Sequence, residues 1–331
     1  MVTLLAKSAP VDKRMGGTLD RIDKAILREF MFVNCRVSYR SLAKKVGLSP
    51  NAAKYRVKKL VDNGTIIKFA VGLTTEMLGA DYVICLVFTN GTESSEEFVA
   101  RLGESHMIWA VLTLSATKGG AYFVFSTCSG PVEQAELGAK LRGYDEVLSI
   151  ELHRTLPVAH GTKTEFTKSQ LRVINCLYDD ARMRVEEVAR RTGMAAKTVR
   201  RILRELEPGR GIRYYCRVNL AGRDVVDAWI RLEWDDKIKT AGEICEWLRD
   251  EYPDDLWATW ISASDSVMFA DFILESLLDV ETISSRIREA SFVKSTASLV
   301  ASGQYSFERP TETKIREMLE EAGLRIPTSV T

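Results

Sequence analysis

The amino-acid sequence predicts an α+β fold: tandem winged helix-turn-helix modules, each followed by a ferredoxin-like βαββαβ module. Three observations carry this. First, the chain repeats. Residues 19–156 reappear from about 166 to 307 at an offset of 146 positions, so that Gly47 answers to Gly193, Ile66 to Ile212 and Asp81 to Asp227. Second, formal charge alternates with the repeat. Residues 1–73 carry 15 basic and 5 acidic side chains, 74–160 carry 5 and 11, 161–222 carry 14 and 7, and 223–331 carry 12 and 22, so the net charge of +1 conceals four blocks. Third, apolar residues follow a helical period in the basic blocks, whereas the acidic blocks alternate strand-like runs with helical stretches. Basic helical modules alternating with acidic α/β modules point to two nucleic-acid readers on two self-associating or sensing domains.

The first reader begins with residues 19–33, LDRIDKAILREFMFV, which place Ile22, Ile26, Leu27 and Phe30 on one helical face. A second helix, SYRSLAKKV, stops at Gly47. Ser49 then caps a third helix whose first position is Pro50, where a missing amide hydrogen costs nothing. Helix, helix, glycine turn, helix is the helix-turn-helix order. In the third helix Ala53, Val57 and Leu60 form the buried face, leaving Asn51, Lys54, Tyr55 and Lys58 for a groove. Asn63-Gly64 ends it, and TIIKFAVGL follows as a strand, the wing, with Lys68 as a phosphate contact.

The second reader keeps this plan with TKSQLRVINCLYDDA, VEEVARRTG and AAKTVRRILRELEPG. Val199, Leu203 and Leu206 are its expected buried face. Lys197, Arg200, Arg201 and Arg204 point outward with Thr198 beside them, a denser cationic set than in the first copy, and arginine can hold guanine bidentately. A solvated basic surface is the plain alternative, but the matched placement within two helix-turn-helix patterns favours DNA.

These residues resemble a known family. LDRIDKAILREF followed by SYRSLAKKVGLSPNAAKYRVKKLVDNGTII is similar to the N-terminal DNA-binding domain of the Lrp/AsnC (feast/famine) transcriptional regulators, in which the third helix enters the major groove. The resemblance adds Arg56 to the contact set. In the second copy Ile202 stands at the place of Arg56, and Met-Ala-Ala replaces Leu-Ser-Pro.

In the acidic modules, YVICLVFTN, SSEEFVARLGES, IWAVLTLSAT, GGAYFVFSTCS, VEQAELGAKLRG and VLSIELHRTLPV read β-α-β-β-α-β, and the second copy matches. Four antiparallel strands with both helices on one side leave a sheet face open, which the duplicate can cover. Trp229, Trp234, Trp247, Trp257 and Trp260 are expected in that sheet-to-sheet interface. The module resembles the same family's C-terminal domain, which implies pairing, further homo-oligomers, and a small effector, an amino acid or related metabolite. The loops between the second and third strands, SATKGGAY and SASDSVMF, offer Lys118 and Asp265 as ligand contacts. The boundaries drawn from these patterns are a flexible basic arm at 1–18, readers at 19–75 and 165–220, α/β modules at 80–158 and 225–308, and a C-terminal helix at 311–325.

Six cysteines lie far apart, without Cys-x-x-Cys and with only three histidines, a pattern of reduced thiols in apolar positions rather than of zinc or disulfides. No metal or cofactor is expected. The apolar run Val2–Ala6 is too short for a signal core or a membrane span, so a cytoplasmic chain with no membrane partner is the expectation. Phosphate-binding loops, His-Glu-x-x-His and nucleophile elbows do not occur, and His106, His153 and His160 are scattered as ordinary surface or packing residues. Sirohaem decarboxylases share the two-domain plan, but IWAVLTLSATKGGAYFVF and LWATWISASDSVMFADF lack the histidine and arginine of their signature strand. A DNA-binding regulator acting as an intramolecular pseudo-dimer on double-stranded DNA is therefore expected, not an enzyme. A general architectural DNA-binding protein is the other alternative.

Overall fold

The computed structural model describes residues 18–116, 118–156, 161–220 and 223–325. The arm expected over 1–18 lies outside these except for its last residue. The first copy runs α1 (Arg21–Arg28), a π-helical continuation (Glu29–Asn34), α2 (Tyr39–Val46), α3 (Pro50–Asp62), β1 (Ile66–Leu73), α4 (Thr75–Leu78), β2 (Asp81–Thr89), α5 (Ser95–Gly103), β3 (Ile108–Leu114), β4 (Ala121–Cys128), α6 (Gly130–Arg142) and β5 (Val147–Arg154). The second runs α7 (Lys168–Asp179), α8 (Val185–Thr192), α9 (Ala196–Glu205), β6 (Ile212–Val218), β7 (Val226–Trp234), α10 (Ala241–Glu251), β8 (Leu256–Ile261), β9 (Val267–Leu274), α11 (Leu277–Arg288), β10 (Val293–Ser306) and α12 (Pro310–Glu321).

These modules do not stay as four successive bodies. They sort like with like into two compact units, one built mainly from 80–158 and 221–309, the other from 22–79, 159–220 and 310–331.

In the helical unit, Ser38 accepts the Ser41 amide to start α2, and Gly47 ends it with φ at +70°, a left-handed turn that returns its amide to Ala43. Gly193 takes the same conformation after α8. Ser49 Oγ accepts the Ala52 amide at 3.2 Å, with Pro50 at the first helical position. α9 starts instead at Ala195, which offers no side-chain acceptor, and it is three residues shorter than α3, at ten against thirteen. Ser49→Ala should therefore cost about 1 kcal/mol and Ala195→Ser gain a similar amount, both read from thermal unfolding of the helical signal.

β1 and β6 pair antiparallel with each other, from Ile66 opposite Val218 to Leu73 opposite Ile212. The expected wing is thus a strand shared between the copies. α12 docks on this unit, burying Ile315 and Leu319, and its buried Glu312 accepts hydrogen bonds from Tyr215 and Arg217 of β6.

In the other unit eight strands form one sheet in the order β5-β2-β4-β3-β10-β7-β9-β8. The two halves repeat one ferredoxin-like order and join because β10 is long: its residues 293–300 pair with β7, and 301–306 continue along β3. A bridge from Thr155 to Ser262 ties the β5 edge to the β8 side. Each half keeps its own core beneath its helices, around Phe98 and Tyr122 in one and Ile244 and Phe272 in the other. A third core lies between the halves, where Phe123, Phe125, Trp229, Trp260 and Phe269 pack. Phe123 stands edge-on to Trp229 at 4.8 Å, a geometry aromatic rings favour. Of the five tryptophans expected there, Trp229 and Trp260 are; Trp234 and Trp247 pack in the core under the second half's helices.

Candidate nucleic-acid interface

The outward face of α3 presents Asn51, Lys54, Tyr55 and Lys58, all exposed, while Ala53, Val57 and Leu60 are buried. Tyr55 is 70% exposed, a large ring with no intramolecular packing to justify its position. Lys58 leans on Asp62 at 2.5 Å, one helical turn along. On α9, Lys197, Arg200, Arg201 and Arg204 are exposed and Thr198 is half-buried. The buried residues there are Val199, Ile202 and Leu206. Leu203, expected inside, is only partly covered.

The burial of Ile202 explains Arg56, its match in the first copy. The Arg56 guanidinium turns inward to Asp23 of α1 at 2.9 Å, and the carboxylate is buried. Arg56, expected as a DNA contact, thus braces α3 on α1. In the second copy the matched positions are Ile202 and Ser169, so no ion pair forms there, and Ile202 is buried. Lys68, expected as a phosphate contact on a wing, lies on the shared β1–β6 sheet with its ammonium over the Tyr178 ring at 5.3 Å.

The two readers are fastened by a reciprocal pair that sequence reasoning missed. Arg36 donates to the carbonyl of Ala181 and, at 3.5 Å, to that of Met183; Arg182, its match at the 146-residue offset, donates to the carbonyls of Cys35 and, at 3.2 Å, Val37. Each guanidinium crosses into the other copy and lies over aromatic rings there or beside it: Arg36 over Tyr214, and Arg182 over Tyr39, Phe30 and Phe69 at 4.7, 5.1 and 5.4 Å. Burial lowers the pKa of Arg36, the cost of placing a cation here. The backbone joins the same seam, with the Cys35 amide donating to Tyr214 and the Ala181 amide to Phe69. The repeat itself was the available signal, since Arg falls on Arg in two loops that carry no other reason for it.

In the sheet unit, Lys118 is exposed on the β3–β4 hairpin. Asp265, on the β8–β9 hairpin, accepts from Ser264 Oγ at 2.8 Å and lies 3.5 Å from His153 Nδ1. The structure does not bring Lys118 and Asp265 together as one site. His153 is buried, with Nδ1 at 3.1 Å from Ser262 Oγ and Nε2 at 2.8 Å from Glu151, which also takes the Arg231 guanidinium. The His153 hydrogen bond, followed by Arg231, holds the Glu151 carboxyl down at about 2. All six cysteines are buried free thiols. Among the described residues no group of His, Cys, Asp or Glu could hold a metal ion, and no helix is long and apolar enough to cross a membrane.

A family model for winged helix-turn-helix DNA-binding domains matches residues 19–67 and 166–207, the two readers. The transcriptional regulator AzlB of Bacillus subtilis is 39% identical over 85 residues, 26% of this chain and 53% of that protein. The leucine-responsive regulatory protein of Haemophilus influenzae is 37% identical over 79 residues, 24% of this chain and 47% of its own. Over about a quarter of its length the chain is thus similar to regulators of the leucine-responsive type. It spans about half the length of the curated relatives it matches. Over 92% of its length the chain also shares the fold of the siroheme decarboxylase NirDL, all of which is covered, with a TM-score of 0.50 and 15% identity. At that identity the likeness is one of fold alone.

Proposed function

We propose that this chain is a sequence-specific, double-stranded-DNA-binding transcriptional regulator that acts as an intramolecular pseudo-dimer in the cytoplasm. The observation that carries the reading is the Arg36–Arg182 seam with the β1–β6 pairing, which holds two unlike recognition helices in one compact unit. Asn51, Lys54, Tyr55 and Lys58 read one half-site; Lys197, Thr198, Arg200, Arg201 and Arg204 read the other. Lysines and arginines on phosphates set position, and the few side chains that reach base edges set sequence. Because the two sets differ in chemistry, the DNA site is asymmetric.

Replacing Arg200 and Arg201 by alanine should cost about 1–3 kcal/mol for each side chain that bonds a base edge, and should relax only one half of the site, whereas Asn51→Ala should relax only the other. Competition binding against operators mutated in either half checks this. Equal relaxation of both halves by one substitution would sink the assignment of one helix to one half.

The leucine-responsive relative supports an amino acid or related metabolite as the effector class, with Lys118 and Asp265 as the hairpin charges to substitute first. A catalytic reading finds support in the fold shared with NirDL, whereas the relatives matched in sequence are named as transcriptional regulators.

A further inference from the structure

The two readers have the same layout and unequal local charge. Residues 39–61 contain seven basic and no acidic side chains, while 185–207 contain six basic and four acidic. At the offset of 146, Glu186 falls on Arg40 and Glu205 on Lys59, so one position on the preceding helix and one in the last turns of the recognition helix have reversed sign. Both glutamates engage the arginines that would meet DNA. Glu186, on α8, lies 3.2 Å from Arg200, and Glu205 lies 2.5 Å from Arg201. Gln170 of α7 donates to Glu205 at 3.2 Å, which fixes that carboxylate beside the helix.

We infer that Glu186 and Glu205 are a built-in restraint on the second recognition helix, which suppresses its binding to DNA of arbitrary sequence. This rests on the DNA-binding reading above. To use Arg200 and Arg201 the second reader must exchange carboxylate partners for DNA, and the two released carboxylates then face the phosphates. Exposed ion pairs of this kind add little to stability. Their effect falls on binding, where an unpaired like charge opposite a phosphate works against every sequence equally. A site that returns bidentate hydrogen bonds to the guanidiniums, as the O6 and N7 edge of guanine does, offsets this; bare backbone contact does not. The first reader carries Arg40 and Lys59 in those two places, and its recognition helix has a single ion pair of this kind, Lys58 with Asp62, against the two on the arginines of the second. The first copy therefore supplies most of the general affinity, and the second engages only where its half-site is present.

The test is the full-length chain against a duplex of random sequence and against its selected operator, with affinity measured from about 50 to 200 mM salt. Glu186→Gln/Glu205→Gln should tighten binding to random duplex on the order of tenfold and steepen its salt slope by about 1–2, since each new phosphate contact adds about 0.9. Operator affinity should rise less, so the specificity ratio falls. Glu186→Arg/Glu205→Lys, which installs the charges of the first copy, should go further. Glu320→Gln/Glu321→Gln at the end of α12 removes two carboxylate charges elsewhere in the unit and should change neither quantity. Unchanged affinity and slope in the Glu186/Glu205 variants, or an equal effect in the α12 variant, would overturn the restraint while leaving DNA binding intact. A wild-type chain that binds no duplex at low salt would overturn the reading beneath it, and the restraint with it.

Discussion

Arg182→Ala should destabilise the helical unit by roughly 2–4 kcal/mol, and Arg36→Ala by somewhat less. Each substitution leaves two backbone carbonyls of the other copy without their donor, at about 1–3 kcal/mol for a buried group left unpaired, and Arg182→Ala also removes a cation from three aromatic rings. Arg182→Lys should recover only part of the loss, because an ammonium cannot reproduce a planar fork held between two carbonyls and a stack of rings. The effect on DNA should exceed the effect on folding. Two readers held at a set spacing gain avidity over either alone by factors of about 10²–10⁴, and that gain needs the geometry that the seam supplies. The double variant should keep its affinity for an isolated half-site and bind the paired site at least about a hundredfold more weakly. All six tryptophans belong to the sheet unit, so unfolding of the helical unit is followed by far-ultraviolet dichroism, with tryptophan fluorescence as the unaffected reference.

Asp271→Asn should stabilise the sheet unit above neutral pH and flatten its pH dependence. Asp271 is buried on β9 directly opposite Trp229, with one carboxylate oxygen unpartnered. Asp227 is its diagonal neighbour on β7 and accepts the Trp229 indole N–H at 2.9 Å. The first copy handles the matched place differently: Asp81 has Arg154 at 3.4 Å, and the position of Asp271 is Phe125. In the second copy Val300 takes the place of Arg154, so two acids share an apolar site without a cation at that position.

Burial pushes Asp227 up to about 6, and burial together with the charge of Asp227 raises Asp271 well above the carboxylate range. Both shifts are upward, so between about pH 4 and the folded values the native state binds protons that the unfolded chain has released. Stability from this pair is fully present below about pH 4 and declines as pH rises through about 6 and beyond. A shift of the size at Asp227 corresponds to about 3 kcal/mol. Denaturant midpoints followed by tryptophan fluorescence from about pH 5 to 8 should fall in the wild type and fall less in Asp271→Asn, where only Asp227 is left to titrate. Midpoints that fall equally in both would show that Asp271 contributes nothing to the pH dependence.

Local chemistry was legible in the sequence and long-range pairing was not. Ser49 and Pro50 announce α3 because a cap and a pre-set φ act within one turn, and Gly47 marks its turn because only a left-handed residue closes it. Which strand β1 would join is not a local property. Its alternation suits a wing as well as a partner strand, and the choice of β6 is decided by Arg36 and Arg182 reaching across 146 residues of chain. The inward turn of Arg56 depends on Asp23 sitting on another helix, and the engagement of Arg200 by Glu186 depends on how α8 crosses α9. Counting cations on α9 alone therefore missed the carboxylates that engage two of them. The tryptophans divided between two cores. Trp229 faces the seam between the halves, whereas Trp234 lies at the end of the same strand, an odd number of residues on, where the side chains turn to the opposite side of the sheet.

The most direct test of the central claim, that one chain carries two unlike readers fixed as a pseudo-dimer, is selection of bound fragments from the source genome by the full-length protein at physiological salt, followed by sequencing of what is retained. The account predicts an enriched two-part site with unlike halves, separated by about one helical turn or a multiple of it. A perfect palindrome would contradict it, because identical halves require the same helix to be used twice, once from each of two chains.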